Sequence, residues 1–147
     1  MTKMNSIKAS PLGQDLLDAL WDKQRNGILD VYKSIITLRE YLVKDLSPSD
    51  LKYLYSVYFD AARVLMAECV AEFFQAGRIC ITAFDPLRMR HESRKIRQII
   101  ITPEDVSRLL QVLHRVKEPA HDLYQKHGGK SWAEHIETLC KAVSKLQ

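Results

Sequence analysis

The chain has 147 residues and a mass of 17.0 kDa; hydrophobic residues make up 46% and charged residues 27%, with five glycines and five prolines. That is enough chain to bury a core without disulfides or a metal, and the composition excludes a disordered, low-complexity or loop-rich protein. The net charge of +4 resides in one segment: residues 78–97 hold Arg78, Arg88, Arg90, Arg94, Lys95 and Arg97 against Asp85 and Glu92, and the remainder balances.

Other classes fall away on simple grounds. Three cysteines without a C-x-x-C pair point away from a disulfide framework and from a four-cysteine zinc site. No apolar run approaches the ~18 residues of a membrane span, because Arg63, Glu68 and Glu72 interrupt the longest candidate. Residues 1–10 carry lysines but not the apolar stretch of a signal peptide. The expectation is one helical domain over 1–147, with 1–14 a loose N-terminal segment, cytoplasmic and without a membrane partner.

In chain order, residues 15–43 carry a four-three stripe of Leu17, Trp21, Gln24, Ile28, Val31, Ile35, Leu38 and Leu42, which predicts a long helix. Leu20, Tyr32, Ile36 and Val43 widen the buried face, and Gly27 inside the stripe marks a bend or a close approach. Ser47-Pro48-Ser49-Asp50 has the grammar of a helix start. The stripe of this second helix runs through Leu51, Leu54/Tyr55, Tyr58, Ala62, Leu65, Cys69 and Phe73 to a stop at Gly77.

Residues 78–102 read either as a two-stranded ribbon or as helical turns broken at Asp85-Pro86, since Ile79-Cys80-Ile81-Thr82 and 96–102 are β-branched around a polar middle. Thr102-Pro103-Glu104-Asp105 starts a third helix, buried through Val106, Leu109, Leu110, Leu113 and Val116 and ended or kinked near Pro119. Gly128-Gly129 ends any continuation of it beyond Lys126, and Ser131-x-x-Glu134 reads as a capping box for a last helix with Trp132, Ile136, Leu139, Val143 and Leu146 inside. The fold class is mainly α: a four-helix-type bundle with a basic irregular or short β-hairpin insert after the second long helix.

Signals of catalysis are weak. Gly129-Lys130-Ser131 looks like the end of a phosphate-binding loop but lacks the earlier glycine and the preceding strand. Five histidines show no metal-ligand spacing; Cys69 and Cys140 fall on buried stripes, while Cys80 reads as more exposed. No cofactor is expected. Residues 88–97 are the functional candidate, a segment able to contact phosphates or an acidic protein surface. Tyr55 and Tyr58 read as core, whereas Tyr53 reads as exposed and suited to anchor a partner.

Two stretches resemble the Rsd/AlgQ family of small helical regulators, which bind the primary sigma factor of bacterial RNA polymerase. They are Trp21-x3-Arg25-x2-Ile28-Leu29-x2-Tyr32 and Glu72-Phe73-x2-Ala76-Gly77-x-Ile79-x-Ile81. Ala19 stands where the family has an aspartate, Arg78 where it has a histidine, and Thr82-Ala83 where it has Tyr-Glu. The resemblance implies a bacterial helical regulator that binds a sigma factor, with Trp21, Arg25 and Arg78 as contact positions.

The functional expectation is a non-enzymatic regulatory or adaptor protein with a protein partner. Its contact residues are Trp21, Arg25, Arg78, Arg88, Arg90, Arg94, Lys95 and Arg97. The alternatives are a nucleic-acid-binding module using 88–97 and a helical subunit that self-associates through its long helices.

Overall fold

The computed structural model describes residues 6–20, 27–85 and 87–147, with backbone alone at 83–85. Among these residues the chain forms helices α1 (Pro11–Leu20), α2 (Val31–Asp45), α3 (Phe59–Ala76), α4 (Pro103–Val116), α5 (Asp122–Lys126) and α6 (Lys130–Ser144). Strands β1 (Ile28–Asp30), β2 (Ile79–Asp85), β3 (Arg90–Ile96) and β4 (Gln98–Ile100) make two small sheets. The protein is therefore mainly helical, and 78–102 takes the ribbon alternative: β2 and β3 pair antiparallel, from Ile79 opposite Ile96 to Asp85 opposite Arg90. β1 pairs with β4 in parallel, Ile28 opposite Gln98 and Asp30 opposite Ile100.

α3 is the central element. α2, α4 and α6 pack against it, α4 and α6 pack on each other, and α1 touches α2, α3 and β2. Of α3, every residue from Phe59 to Val70 except Arg63 is buried, so it is apolar nearly all round, as a central helix must be.

The expected helix over 15–43 is interrupted, although its stripe remains largely buried at Leu17, Leu20, Val31, Leu38 and Leu42. Gly27 has φ +73, outside the helical region, and its carbonyl accepts the N–H groups of Arg97 (3.0 Å) and Gln98 (3.3 Å). Asp30 then starts α2 afresh, its carboxylate accepting Lys33 N–H at 3.1 Å, the arrangement of an N-cap. Ile28 and Ile35 are half-buried. Tyr32, Ile36 and Val43 are exposed, because α2 buries one side against α3 and nothing among the described residues covers the other.

The second expected helix also changes at its start. Ser47–Asp50 is a turn, Leu51–Tyr53 is 3₁₀, Leu54–Tyr58 is one π turn, and α-helix begins at Phe59. The wider turn rotates Tyr55 outward. Tyr55 is 75% exposed and Leu51 is exposed, whereas Leu54 and Val57 are buried; the reading of Tyr55 as core is corrected. Tyr53 is exposed, as expected, and Tyr58 and Phe73 are half-buried. Gly77 ends α3 in the left-handed conformation, φ 78, with its N–H on Phe73 O.

α4 forms as its sequence predicts. Thr102 and Asp105 form a reciprocal capping box, and the five apolar positions expected inside are buried. α6 begins differently: Gly129 is the N-cap and no side chain caps the helix, so the capping box expected at Ser131 and Glu134 does not form. Trp132 is fully buried. Its Nε1–H donates to Val116 O at 2.7 Å, which satisfies a carbonyl left open at the C-terminal end of α4.

Of the segment expected to be loose, the described residues 6–14 pack onto the core. Ile7 is fully buried; Ser10 Oγ donates to Ile7 O at 2.6 Å and accepts Gly13 N–H at 3.1 Å, capping α1. This turn folds so tightly onto the helix that a Cβ on Gly13 would lie 1.7 Å from Ile7 O. Gly13→Ala must displace backbone, and overpacking of this kind costs about 1–3 kcal/mol. A thermal melt of that variant should show a lower midpoint, and an unchanged midpoint would show that the turn yields without cost.

Candidate functional site

The β2–β3 hairpin carries most of the expected contact residues, and three features hold it in place. Ile79, Ile81 and Ile96 are buried on its inner face. The Glu72 carboxylate of α3 accepts Cys80 N–H at 3.0 Å while pairing with Lys8. Gln14 of α1 donates from Nε2 to Thr82 O at 2.9 Å. Side chains alternate across a strand, and the burial along β3 alternates accordingly: Glu92 and Arg94 are half-buried, whereas His91, Ser93 and Lys95 are exposed.

That alternation divides the basic residues. Arg88 and Arg90 are exposed, and both engage Glu92, at 3.3 and 2.9 Å. Arg94 is half-buried on the inner side. Arg78, Lys95 and Arg97 are exposed, and among the described residues no carboxylate pairs with them. Arg78 immediately precedes β2 and Arg97 immediately succeeds β3, so these three cations lie at the base of the hairpin. At the opposite end the turn presents Leu87 at 84% and Met89 at 74% exposure, Met89 with φ 55. Trp21 and Arg25 lie outside the described residues. The expected single basic cluster is thus three cations at the base and two paired arginines near an apolar tip.

Two constellations lie beyond sequence reading. The buried Asp60 carboxylate receives Arg115 through two nitrogens, at 2.7 and 3.2 Å, and His121 Nε2 at 2.9 Å, with Arg63 further off at 3.7 Å. His121 Nδ1 accepts Leu123 N–H at 3.0 Å, which leaves Nε2 as the nitrogen that donates to Asp60. The bond to Asp60 raises the pKa of Arg115. The buried Glu68 accepts Ile7 N–H at 2.9 Å and Lys8 N–H at 2.7 Å, and His135 Nε2 lies 2.7 Å away. One signal of both is present in the sequence: a carboxylate inside an otherwise apolar helical stripe requires partners. The partners themselves lie far along the chain. Among the described residues no group of three or more His, Cys, Asp or Glu is placed to hold a metal ion, and no helix is long and apolar enough to cross a membrane.

Comparison of the chain with protein-family models, with curated proteins and with solved structures finds no match.

This geometry makes two outcomes testable. Glu68→Ala strands two backbone N–H groups and His135, and removal of one partner from a buried charged cluster costs about 3–5 kcal/mol; urea unfolding should show the loss, with Glu68→Gln intermediate. The thiols should separate sharply as well. Burial pushes the Cys69 thiol up to about 12 and raises that of Cys140, so both stay protonated and shielded, while Cys80 is exposed. A thiol-disulfide reagent at about pH 8 should titrate one cysteine rapidly in the native protein and three in denaturant; a second fast thiol in the native protein would contradict the packing of α3 or α6.

Proposed function

We propose that this protein is a non-enzymatic binding protein, a regulator or adaptor, whose contact element is the β2–β3 hairpin and whose partner is an acidic protein surface. The observation that carries the reading is the pairing of an exposed apolar tip, Leu87 and Met89, with cations at the base, Arg78, Lys95 and Arg97, that have no carboxylate partner among the described residues. An apolar anchor supplies affinity and surrounding charge supplies encounter rate and orientation. Methionine suits such a tip because its side chain adapts to irregular surfaces.

Nucleic acid is the rival, and the outward face, with Cys80, Thr82, His91, Ser93 and Lys95 exposed, does not decide between the two. What favours protein is the exposed apolar tip, Leu87 and Met89, because contact with phosphates needs no apolar anchor. The resemblance to the Rsd/AlgQ family suggests the particular partner, a primary sigma factor, and the exposure of Arg78 suits a contact there. The left-handed stop at Gly77 departs from that family, whose helix runs onward.

The test combines one variant with one enzyme. Arg78→Gln, Lys95→Gln and Arg97→Gln together should leave the melting temperature nearly unchanged, because exposed charges contribute little to stability. In a pull-down from the native host, a protein should remain bound after nuclease treatment and be lost or weakened with the triple variant, most strongly at low salt. The purified primary sigma factor is the specific candidate to add. Loss of the complex on nuclease treatment would replace this reading with the nucleic-acid one, and retention of full binding by the triple variant would remove the hairpin base from the contact.

A further inference from the structure

Sequence periodicity predicts that Tyr32, Ile36 and Val43 face the core, and the structure leaves them outside. Tyr32 is 53% and Val43 55% exposed, with Ile36 also exposed. Arg39 is exposed too, and positions 32, 36, 39 and 43 step by four, three and four, so they form one stripe along α2. From Tyr32 to Val43 the stripe is about 16 Å long at 1.5 Å per residue.

Beside this stripe, between α2 and α4, lies a groove of about 240 Å³. Tyr32, Ile36 and Leu109 give it apolar walls, and its charged lining is Arg39, Arg63 and Arg108 against Asp105. The acids nearby already accept hydrogen bonds, and three arginines against one carboxylate leave the groove cationic. Asp105 Oδ2 accepts Thr102 N–H at 2.9 Å in the capping box of α4. Both oxygens of Asp60 take Arg115, and one also takes His121, which leaves Arg63 at 3.7 Å. Arg108 meets the exposed Glu104 only at 3.6 Å. Arg63 is half-buried, and its pKa is lowered, first by burial and then, against Asp60, by the charges of Arg39, Arg115 and Arg108. A guanidinium that is half-buried and, among the described residues, short of acceptors, in a cationic groove beside an apolar stripe that none of those residues covers, is a place where an external carboxylate gains several N–H donors at once.

We propose that the outward stripe of α2 and the α2–α4 groove form a docking surface for an acidic amphipathic segment of a partner protein. The segment's apolar residues cover Tyr32, Ile36 and Val43, and a carboxylate side chain enters the groove among Arg39, Arg63 and Arg108. A second copy of this chain fits poorly, because a two-fold contact through the same face sets Arg39 of each copy against cations of the other. A lone small anion would satisfy the arginines and leave the apolar stripe uncovered. The proposal concerns a different surface from the hairpin and stands or falls separately from it.

The probe is a fluorescent peptide of roughly 16 residues, the length of helix that spans the stripe with a turn to spare. It carries leucines at i, i+4 and i+7 with glutamates flanking them. A scrambled peptide of the same composition and inorganic phosphate serve as references. Saturable anisotropy, with backbone amide shifts at 32–43 and 108–109, is the expected result. The double variant Arg39→Gln, Arg108→Gln should weaken binding about tenfold, as loss of a central charged anchor does, and Tyr32→Ser should weaken it as well. Both variants alter exposed side chains, and melts must confirm that they stay folded; the hairpin triple variant should bind the peptide as the native protein does. Three results would overturn the proposal: equal binding of the scrambled peptide, the same amide shifts with phosphate alone, or shifts confined to the hairpin. Absence of saturable binding would overturn it too.

Discussion

Two carboxylates buried on one apolar helix set the constraint around which this molecule is arranged. Asp60 and Glu68 lie about two turns apart on α3, and both are buried. An ionised carboxylate taken out of water costs several kcal/mol unless donors replace the lost hydration. The chain supplies those donors from distant places: Arg115 at the end of α4 and His121 ahead of α5 for Asp60, and Ile7, Lys8 and His135 for Glu68. Apolar packing alone is non-directional. These bonds have direction, and they fix which ends of which helices meet α3 and in what register.

The hairpin inherits its place from the same helix. Lys8 is held by Glu68 through its backbone and by Glu72 through its side chain, and Glu72 also receives Cys80 N–H at the start of β2. N-terminal segment, central helix and hairpin base therefore share one hydrogen-bonded cluster. The other end of the hairpin is fixed by a different device: Arg97 and Gln98 donate to the carbonyl of Gly27, and β4 continues alongside β1. With both of its chain ends tied, the hairpin can carry an exposed turn without depending on that turn for its position.

Local signals in the sequence are legible where one segment contains the whole physics. Thr102 and Asp105 are three residues apart and cap each other; Gly77 stops α3 by its own conformational freedom; the buried face of α4 matches its apolar spacing. The ribbon is legible only as one of two alternatives, because β-branched runs of that length suit either. Features that depend on distant partners are not legible. The stripe over 15–43 keeps helical spacing through Ile28 and Val31, but Ile28 and Leu29 pair with β4, some seventy residues along the chain, and a pattern cannot report a parallel partner. Tyr55 defeats helical spacing because the π turn at Leu54–Tyr58 rotates it around the axis relative to α3. The donors of Asp60 and Glu68 are invisible for the same reason as the partner of β1: His121 and His135 reveal nothing by spacing when the groups they meet lie on another helix.

Charge shows the limit of sequence arithmetic most directly. Counting assigns the entire net charge to 78–97, and in space Glu92 offsets two of those arginines while Arg94 turns inward. The rest of the chain counts as neutral, yet Arg39, Arg63, Arg108 and Arg115 come from three helices to lie near one another, with Asp60 bound to Arg115 and Asp105 in the cap of α4. A count weighs each charge equally wherever its partner lies. The potential that an approaching molecule meets is set by where the charges stand relative to one another, because a carboxylate paired with a cation projects little field beyond it, whereas one that only caps a helix keeps its charge. On that measure the hairpin base and the α2–α4 groove are two cationic surfaces among the described residues, and only the first coincides with the segment that composition singles out.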